Sequence, residues 1–184
     1  MRRIVARAQR YELDDQDIDL SPVIAPDPLD PRVSLTSIIH WADSLPVRLS
    51  VMTAVDFPVH DVSMFLVVNQ LSYRGAMRPS ELAETLGMGR ANISKIAHRL
   101  DTAGLILRVR EPSDERSVLL ALTPRGREIG ERIMTHVRRT FDEALAHWSE
   151  EDVTDLKRLL ARLARDTVWV RQAPRARIAP GRAR

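Results

Sequence analysis

The chain has no cysteine, so disulfides, thiolate metal sites and thiol-based redox sensing are excluded. Aromatic residues are scarce, at 4% of 184 residues against a hydrophobic share of 44%, so a core must be built from Leu, Ile, Val and Ala, a composition that leans helical. Long apolar runs are missing as well. The longest stretch without charge, Val62 to Tyr73, is far shorter than the roughly 20 residues a membrane-spanning helix needs. The basic start, Met1 to Arg10, runs into the acidic stretch Glu12 to Asp19 where a secretory signal would need an apolar segment. A cytoplasmic protein with no membrane partner is therefore expected.

An excess of positive charge is also missing from the body of the chain. The net charge is +3, but residues 1–32 carry 5 basic and 7 acidic groups and residues 171–184 carry 5 arginines and no acid, which leaves 18 of each sign for residues 33–170. Any case for nucleic-acid binding must rest on where particular arginines sit. Signs of catalysis are equally thin. Gly87-Met88-Gly89 begins a GxGxxG-like string, but Asn92 stands in the third glycine's place and no strand precedes it. There is no P-loop and no GxSxG, and His40, His60, His98, His136 and His147 form no HExxH-type pair. No enzyme, no metal and no cofactor are expected.

What is present is helical periodicity, broken once. Residues 1–32 combine an acidic cluster with Pro22, Pro26, Pro28 and Pro31 and read as a flexible arm. Ser34 is an expected N-cap for Leu35, Ile38, Ile39, Ala42, Leu45, Leu49, Met52 and Val55, a pattern that Pro46 should kink or split. A second helix is expected from about His60 to Tyr73. Pro79 to Gly87 reads as a short helix, Gly87-Met88-Gly89 as a turn, and Arg90 to Ala103 as a helix burying Ile93, Ile96, Ala97 and Leu100. Two short helices joined by a glycine-bearing turn make a helix-turn-helix.

The period then changes. Leu105 to Arg110 and Ser117 to Leu122 read as strands around a turn from Glu111 to Arg116, a β-hairpin in the position of a wing. Thr123-Pro124 opens a long helix carrying Ile129, Ile133, Val137, Phe141, Leu145 and Trp148. Ser149 and Asp152 resemble a capping box for a last helix with Val153, Leu156, Leu159, Leu160 and Leu163 on its apolar face. The expected fold is mainly α with a small β-hairpin wing: a winged helix-turn-helix lobe over 59–123, N- and C-terminal helical dimerisation regions over 33–58 and 124–170, and a basic disordered tail over 171–184.

With its apolar side inward, the helix from Arg90 presents Arg90, Ala91, Asn92, Ser94, Lys95, His98 and Arg99 outward. The N-terminal half of such a helix reaches base edges in the major groove of double-stranded DNA. Asn92 suits adenine, Arg90 or Lys95 guanine, and Ala91 a thymine methyl. Arg116, at the expected wing tip, suits a phosphate or a narrow minor groove, with Asp114 holding it or the turn in shape. Arg78 and Ser80 are placed to reach phosphates. The plainer alternatives are a solvated helix face and a surface salt bridge of little energetic weight. Residues 78–116 hold 7 basic and 6 acidic groups, so positioned contacts rather than bulk charge must supply affinity.

The segments Arg78-Pro79-Ser80-Glu81-Leu82-Ala83, Ile93-Ser94-Lys95 to Arg99-Leu100, Ala103-Gly104-Leu105-Ile106, Asp114-Glu115-Arg116 and Leu122-Thr123-Pro124-Arg125-Gly126 together resemble the MarR family of bacterial transcription regulators. The resemblance implies a homodimer built from the terminal helices, with two winged lobes on DNA. It also implies repression by blocking polymerase, and often a small-molecule effector. Two-fold symmetry would make the operator pseudo-palindromic. A ligand cleft between the dimer helices and the lobe is expected to involve Trp41, Leu45, Met52, Phe65 and residues of the Ile129–Phe141 helix, although residues at such spacing are more often ordinary core. Pro46, the proline-rich arm, the arginine-rich tail and Gly89 at the place of a capping Ser or Thr depart from the family pattern. The rival reading is a winged-helix module for protein contacts or architectural DNA packing.

Overall fold

The computed structural model describes the backbone of residues 27, 29–111 and 114–172, and their side chains except at 111, 114–116 and 168–172. The expected N-terminal arm and basic tail thus lie almost wholly outside the described residues. The chain divides after Arg48 into two units.

In the first unit, α1 (Pro31–Asp43) starts ahead of the expected Ser34 cap. Asp30 caps it instead, its carboxylate accepting the Arg32 N–H at 2.8 Å. Pro31 holds the first helical position, where a missing N–H costs nothing, and so the helix begins earlier. The same logic resolves the break at Pro46. Ser44 ends α1, and Pro46 falls in the first turn of α2 (Leu45–Ala54), so the proline splits one apolar pattern into two helices. No residue of α1 is buried, and Ile38, Ile39 and Trp41 are about half exposed.

The second unit holds the main core. Asp61 caps α3 (Val62–Arg74), two residues later than the expected start, and Met64, Phe65, Val67, Val68 and Leu71 bury its inner face. Next come α4 (Pro79–Leu86) and α5 (Arg90–Thr102), separated by a turn in which Gly87 adopts a left-handed φ of 62°. The strands β1 (Ile106–Glu111) and β2 (Asp114–Leu122) pair antiparallel, with Ile106 opposite Leu122 and Glu111 opposite Asp114. β2 therefore starts at Asp114 and not at Ser117, and the hairpin link is correspondingly short. Ladder hydrogen bonds, which hydropathy does not record, carry the strands past the last apolar residue. Met77 adds an unforeseen bridge to Leu120, with mutual N–H to carbonyl bonds of 3.1 and 2.8 Å.

Thr123 caps α6 (Pro124–Ala144), accepting the Gly126 N–H on its hydroxyl at 3.0 Å. The helix stops at Ala144, so Trp148 is not part of it. The Ser149–Asp152 pair does open α7 (Glu150–Gln172): Asp152 N–H donates to Ser149 Oγ at 3.1 Å, and that hydroxyl donates to Asp152 Oδ2 at 2.6 Å. The α7 leucines are less covered than an apolar face would be in a finished core, with Leu159, Leu160 and Leu163 at 50%, 47% and 44% exposure.

Core side chains from α3, α4, α5, both strands and α6 interlock, and no polar or charged residue is buried among the described residues. The tightest joint is at the start of α6. A Cβ built on Gly126 would collide with the Leu105 carbonyl oxygen, a main-chain atom that accepts the Thr123 N–H at 3.0 Å. Helix propensity alone favours Gly126→Ala by about 1 kcal/mol. Displacing a bonded backbone carbonyl is an overpacking penalty of ~1–3 kcal/mol on top of the lost bond geometry, so the collision should win. Urea unfolding of Gly126→Ala is expected to show a net loss of stability of roughly 1–2 kcal/mol with an unchanged m-value.

Candidate nucleic-acid interface

The surface that α5 presents follows from its spacing. Ile93, Ile96, Ala97 and Leu100 are buried, which turns Arg90, Ala91, Asn92, Ser94, Lys95, His98 and Arg99 to the exposed side, as the periodicity requires. Arg90, Asn92, Lys95 and His98 make no side-chain hydrogen bond or ion pair among the described residues. Their donors face outward. The helix starts at Gly89, which supplies no capping side chain and leaves the approach to the first turn open.

The preceding helix sets this surface in place. The Arg78 N–H donates to Glu81 Oε2 at 3.0 Å, fixing the start of α4, where Arg78 is half-buried and Ser80 exposed. On the wing, Arg108 and Arg110 are exposed on β1. Asp114 and Arg116 lie in β2 beside the turn, and their side chains fall outside the described residues.

Arg99 differs from its neighbours. Its Nη1 donates to Asp61 Oδ2 at 2.5 Å, joining α5 to the cap of α3 across 38 residues of sequence. The other Asp61 oxygen, Oδ1, accepts the amides of Ser63 and Met64 at 2.8 and 3.2 Å. Partial burial pushes the Asp61 pKa up, but the bonds from Arg99, Met64 and Ser63 and the charge of Arg99 outweigh it, so the carboxyl ionises below its ordinary range. Asp61 was legible as an N-cap, being an aspartate directly before an apolar run, yet nothing in sequence ties it to Arg99.

The expected ligand-pocket residues part company. Trp41 and Leu45 are exposed in the first unit, whereas Met52 and Phe65 are buried in the second at 5% and 4% exposure. Phe65 packs edge-on against Phe57 with ring centroids 5.6 Å apart. Met52 also lines a cleft of about 380 Å³ with Leu49, Thr53, Asp56, Phe57, Pro58 and His60. Sequence periodicity missed Phe57 because it lies in the loop between two helices. Among the described residues no cluster of His, Asp and Glu side chains is arranged to hold a metal, and no helix is long and apolar enough to cross a membrane.

Comparison with known proteins agrees with this architecture. The MarR family model matches residues 62–118, from the start of α3 into the wing. The HTH-type transcriptional regulator FarR of Neisseria gonorrhoeae is 31% identical over 99 residues, which cover 54% of this chain and 68% of FarR. The chain belongs to the MarR family. It is a helix-turn-helix transcriptional regulator and not an enzyme. The MarR fold is matched in three dimensions too. The crystal structure of MarR superimposes with a TM-score of 0.59 at 23% identity, covering 81% of this chain and 99% of MarR. NadR in complex with 4-hydroxyphenylacetate superimposes with a TM-score of 0.54 at 23% identity, covering 78% and 98%.

In this MarR-family lobe the ionised Asp61 carries a pH signature. Because its folded-state pKa is depressed, its contribution to stability is complete above the unfolded value of about 3.9 and is lost as pH falls through the folded value. Asp61→Asn should therefore be less stable than the parent at pH 6–7, with the gap closing in acid. Denaturant unfolding of both proteins across pH 2.5–7 checks this; a gap independent of pH would exclude the ion pair as its source.

Proposed function

We propose that this regulator binds a pseudo-palindromic operator as a homodimer, represses transcription in the cytoplasm by occupying DNA that polymerase needs, and responds to a small effector. The carrying observation is the α5 surface, where Arg90, Asn92 and Lys95 extend free donors from a helix whose other side is locked into the core. In this reading Arg90, Asn92 and Lys95 read base edges and Ala91 meets a thymine methyl, with Ser94 and His98 flanking them. Arg78, Ser80 and the wing, with Asp114 and Arg116, bind the sugar-phosphate backbone and the minor groove.

Two further observations support the assembly and the effector. The half-exposed apolar residues of α1 (Ile38, Ile39, Trp41) and of α7 (Leu159, Leu160, Leu163) are the kind of surface that a second copy covers. The cleft beside Met52 and Phe57 is lined by the apolar Leu49, Met52, Phe57 and Pro58 together with the polar Thr53, Asp56 and His60, a lining suited to a small aromatic compound. The compound held in the NadR complex, 4-hydroxyphenylacetate, is a reasonable first probe. The near balance of 7 basic and 6 acidic groups over 78–116 argues against a purely architectural role, which needs excess positive charge.

Fluorescence anisotropy on duplex DNA from upstream of the gene, beside a scrambled duplex, tests the reading. A preference of about 10³ or more for the upstream DNA is expected. Asn92→Ala and Lys95→Ala should each reduce that preference by roughly tenfold, whereas Arg116→Ala should weaken binding to both duplexes and flatten the salt dependence by about one unit of slope per lost phosphate contact. Equal binding to both duplexes would refute operator recognition. Sedimentation velocity addresses the assembly separately. The double variant Leu159→Asp/Leu163→Asp should sediment as a monomer with an intact far-UV spectrum and weakened DNA binding, and a parent protein that is already monomeric would overturn the dimer.

A further inference from the structure

We infer that Asp61 is the positioning residue of the DNA-reading helix: it withdraws Arg99 from the DNA surface and uses it to set the angle at which α5 meets the groove. The inference rests on the DNA-reading role proposed for α5. Asp61 is suited to the task because its two oxygens have separate duties. Oδ1 is pinned by the Ser63 and Met64 amides, so the carboxylate cannot rotate, and Oδ2 is thereby aimed at Arg99. The Arg99 side chain is about half exposed, yet its guanidinium bonds to a carboxylate 38 residues away in sequence. Ion pairs elsewhere are local: Arg139–Glu143 lies within α6, and Arg48–Asp43 spans only the break between the consecutive helices α1 and α2, so neither ties together elements distant in sequence.

Leverage makes the contact matter. The C-terminal end of α5 is also held by Thr123 Oγ1 donating to the Gly104 carbonyl at 2.7 Å and by Arg125 Nη1 reaching the Ala103 carbonyl at 3.4 Å. The reading residues lie four to nine positions before Arg99, roughly 6–14 Å along the helix axis. A tilt of ~10° about the clamped end moves them by about 1–2 Å, enough to break a hydrogen bond whose useful range is about 2.7–3.2 Å. The clamp at Asp61 is the one on the α3 side.

A competing role for Arg99 as a direct phosphate contact makes the opposite prediction. In that case Asp61 merely competes with DNA for Arg99, and removing its negative charge should strengthen binding to any duplex. Asp61→Asn separates the two, since its amide oxygen can still accept the α3 cap bonds while its amino group cannot accept from Arg99. The expected result is a fall of about tenfold in the ratio of upstream to scrambled DNA affinity, with scrambled binding unchanged or slightly raised. Tighter binding to both duplexes, or an unchanged ratio, would overturn the inference. A second arm needs no DNA. Hydrogen exchange of the free Asp61→Asn protein should accelerate across the amides of α5 while α6 keeps its protection. Unchanged exchange in α5 would sink the positioning role even if the parent binds its operator. If the parent shows no DNA preference, the functional reading fails and the exchange result still decides what Asp61 does.

Discussion

The main chain from Ala103 to Leu105 receives bonds from several directions, and the geometry of the whole lobe is referred to it. Leu105 N–H closes the end of α5 on the Leu100 carbonyl, Thr123 N–H donates to the Leu105 carbonyl, and Thr123 Oγ1 donates to the Gly104 carbonyl. Gly104 passes through this point with φ at 69°, a conformation that glycine adopts without the Cβ penalty. The first turn of α6 then lies so close to Leu105 that only glycine fits at position 126. The helix α5, the β-hairpin and α6 thus share one rigid corner. Such a corner lets a helix of 13 residues hold a fixed angle, which an isolated helix of that length would not do in water.

Every buried side chain among the described residues is apolar, so nothing inside can titrate, coordinate a metal or serve as a nucleophile. Chemistry is confined to what the surface presents. On that surface the useful groups are the ones without partners, and the exposed side of α5 supplies them in a run. The near neutrality of the segment has a consequence for specificity. A lobe with a large positive excess would bind any duplex and lose discrimination, whereas one with 7 basic against 6 acidic groups must derive its energy from alignment. The Ala103–Leu105 corner and the Asp61–Arg99 contact are the bonds that tie the C-terminal end of α5 to its neighbours, and on the proposed reading they set that alignment.

Much of this was legible in the residues. The buried face of α5, the turn at Gly87, the split at Pro46, the Thr123 cap and the Ser149–Asp152 pair all rest on interactions within four residues of sequence, where period and capping chemistry speak directly. The failures have a common cause. Arg99 has the spacing of an outward residue and is outward, but its partner lies 38 residues away, and periodicity is blind to partners. The Met77–Leu120 bridge and the extension of β2 to Asp114 are pairings between strands, fixed by backbone geometry and not by side-chain pattern. Trp148 fitted a spacing of about four and still lies outside α6, because α6 ends at Ala144 with Leu145 as its C-cap. The four residues expected at a ligand cleft differ in burial, Trp41 and Leu45 being exposed and Met52 and Phe65 buried, and periodicity alone does not fix burial.

The exposed apolar faces of α1 and α7 bear on affinity as well as on assembly. In the proposed binding mode one lobe offers three or four base-reading side chains, each worth ~1–3 kcal/mol of discrimination, on a segment with almost no net charge to add nonspecific attraction. Specific regulators reach dissociation constants of about 10⁻⁸ to 10⁻¹¹ M, or roughly 11–15 kcal/mol. Much of what one lobe gains goes to offset the lost freedom of association, so a lone lobe falls short of that range. Joining two lobes makes the second docking intramolecular, and the shortfall is then made up by effective concentration instead of charge. The uncovered leucines of α7 and the neutrality of the reading segment are, in this reading, two sides of one solution. In the proposed homodimer, contacts that are few and well aligned are used in pairs, and the exposed leucines of α7 supply a pairing surface.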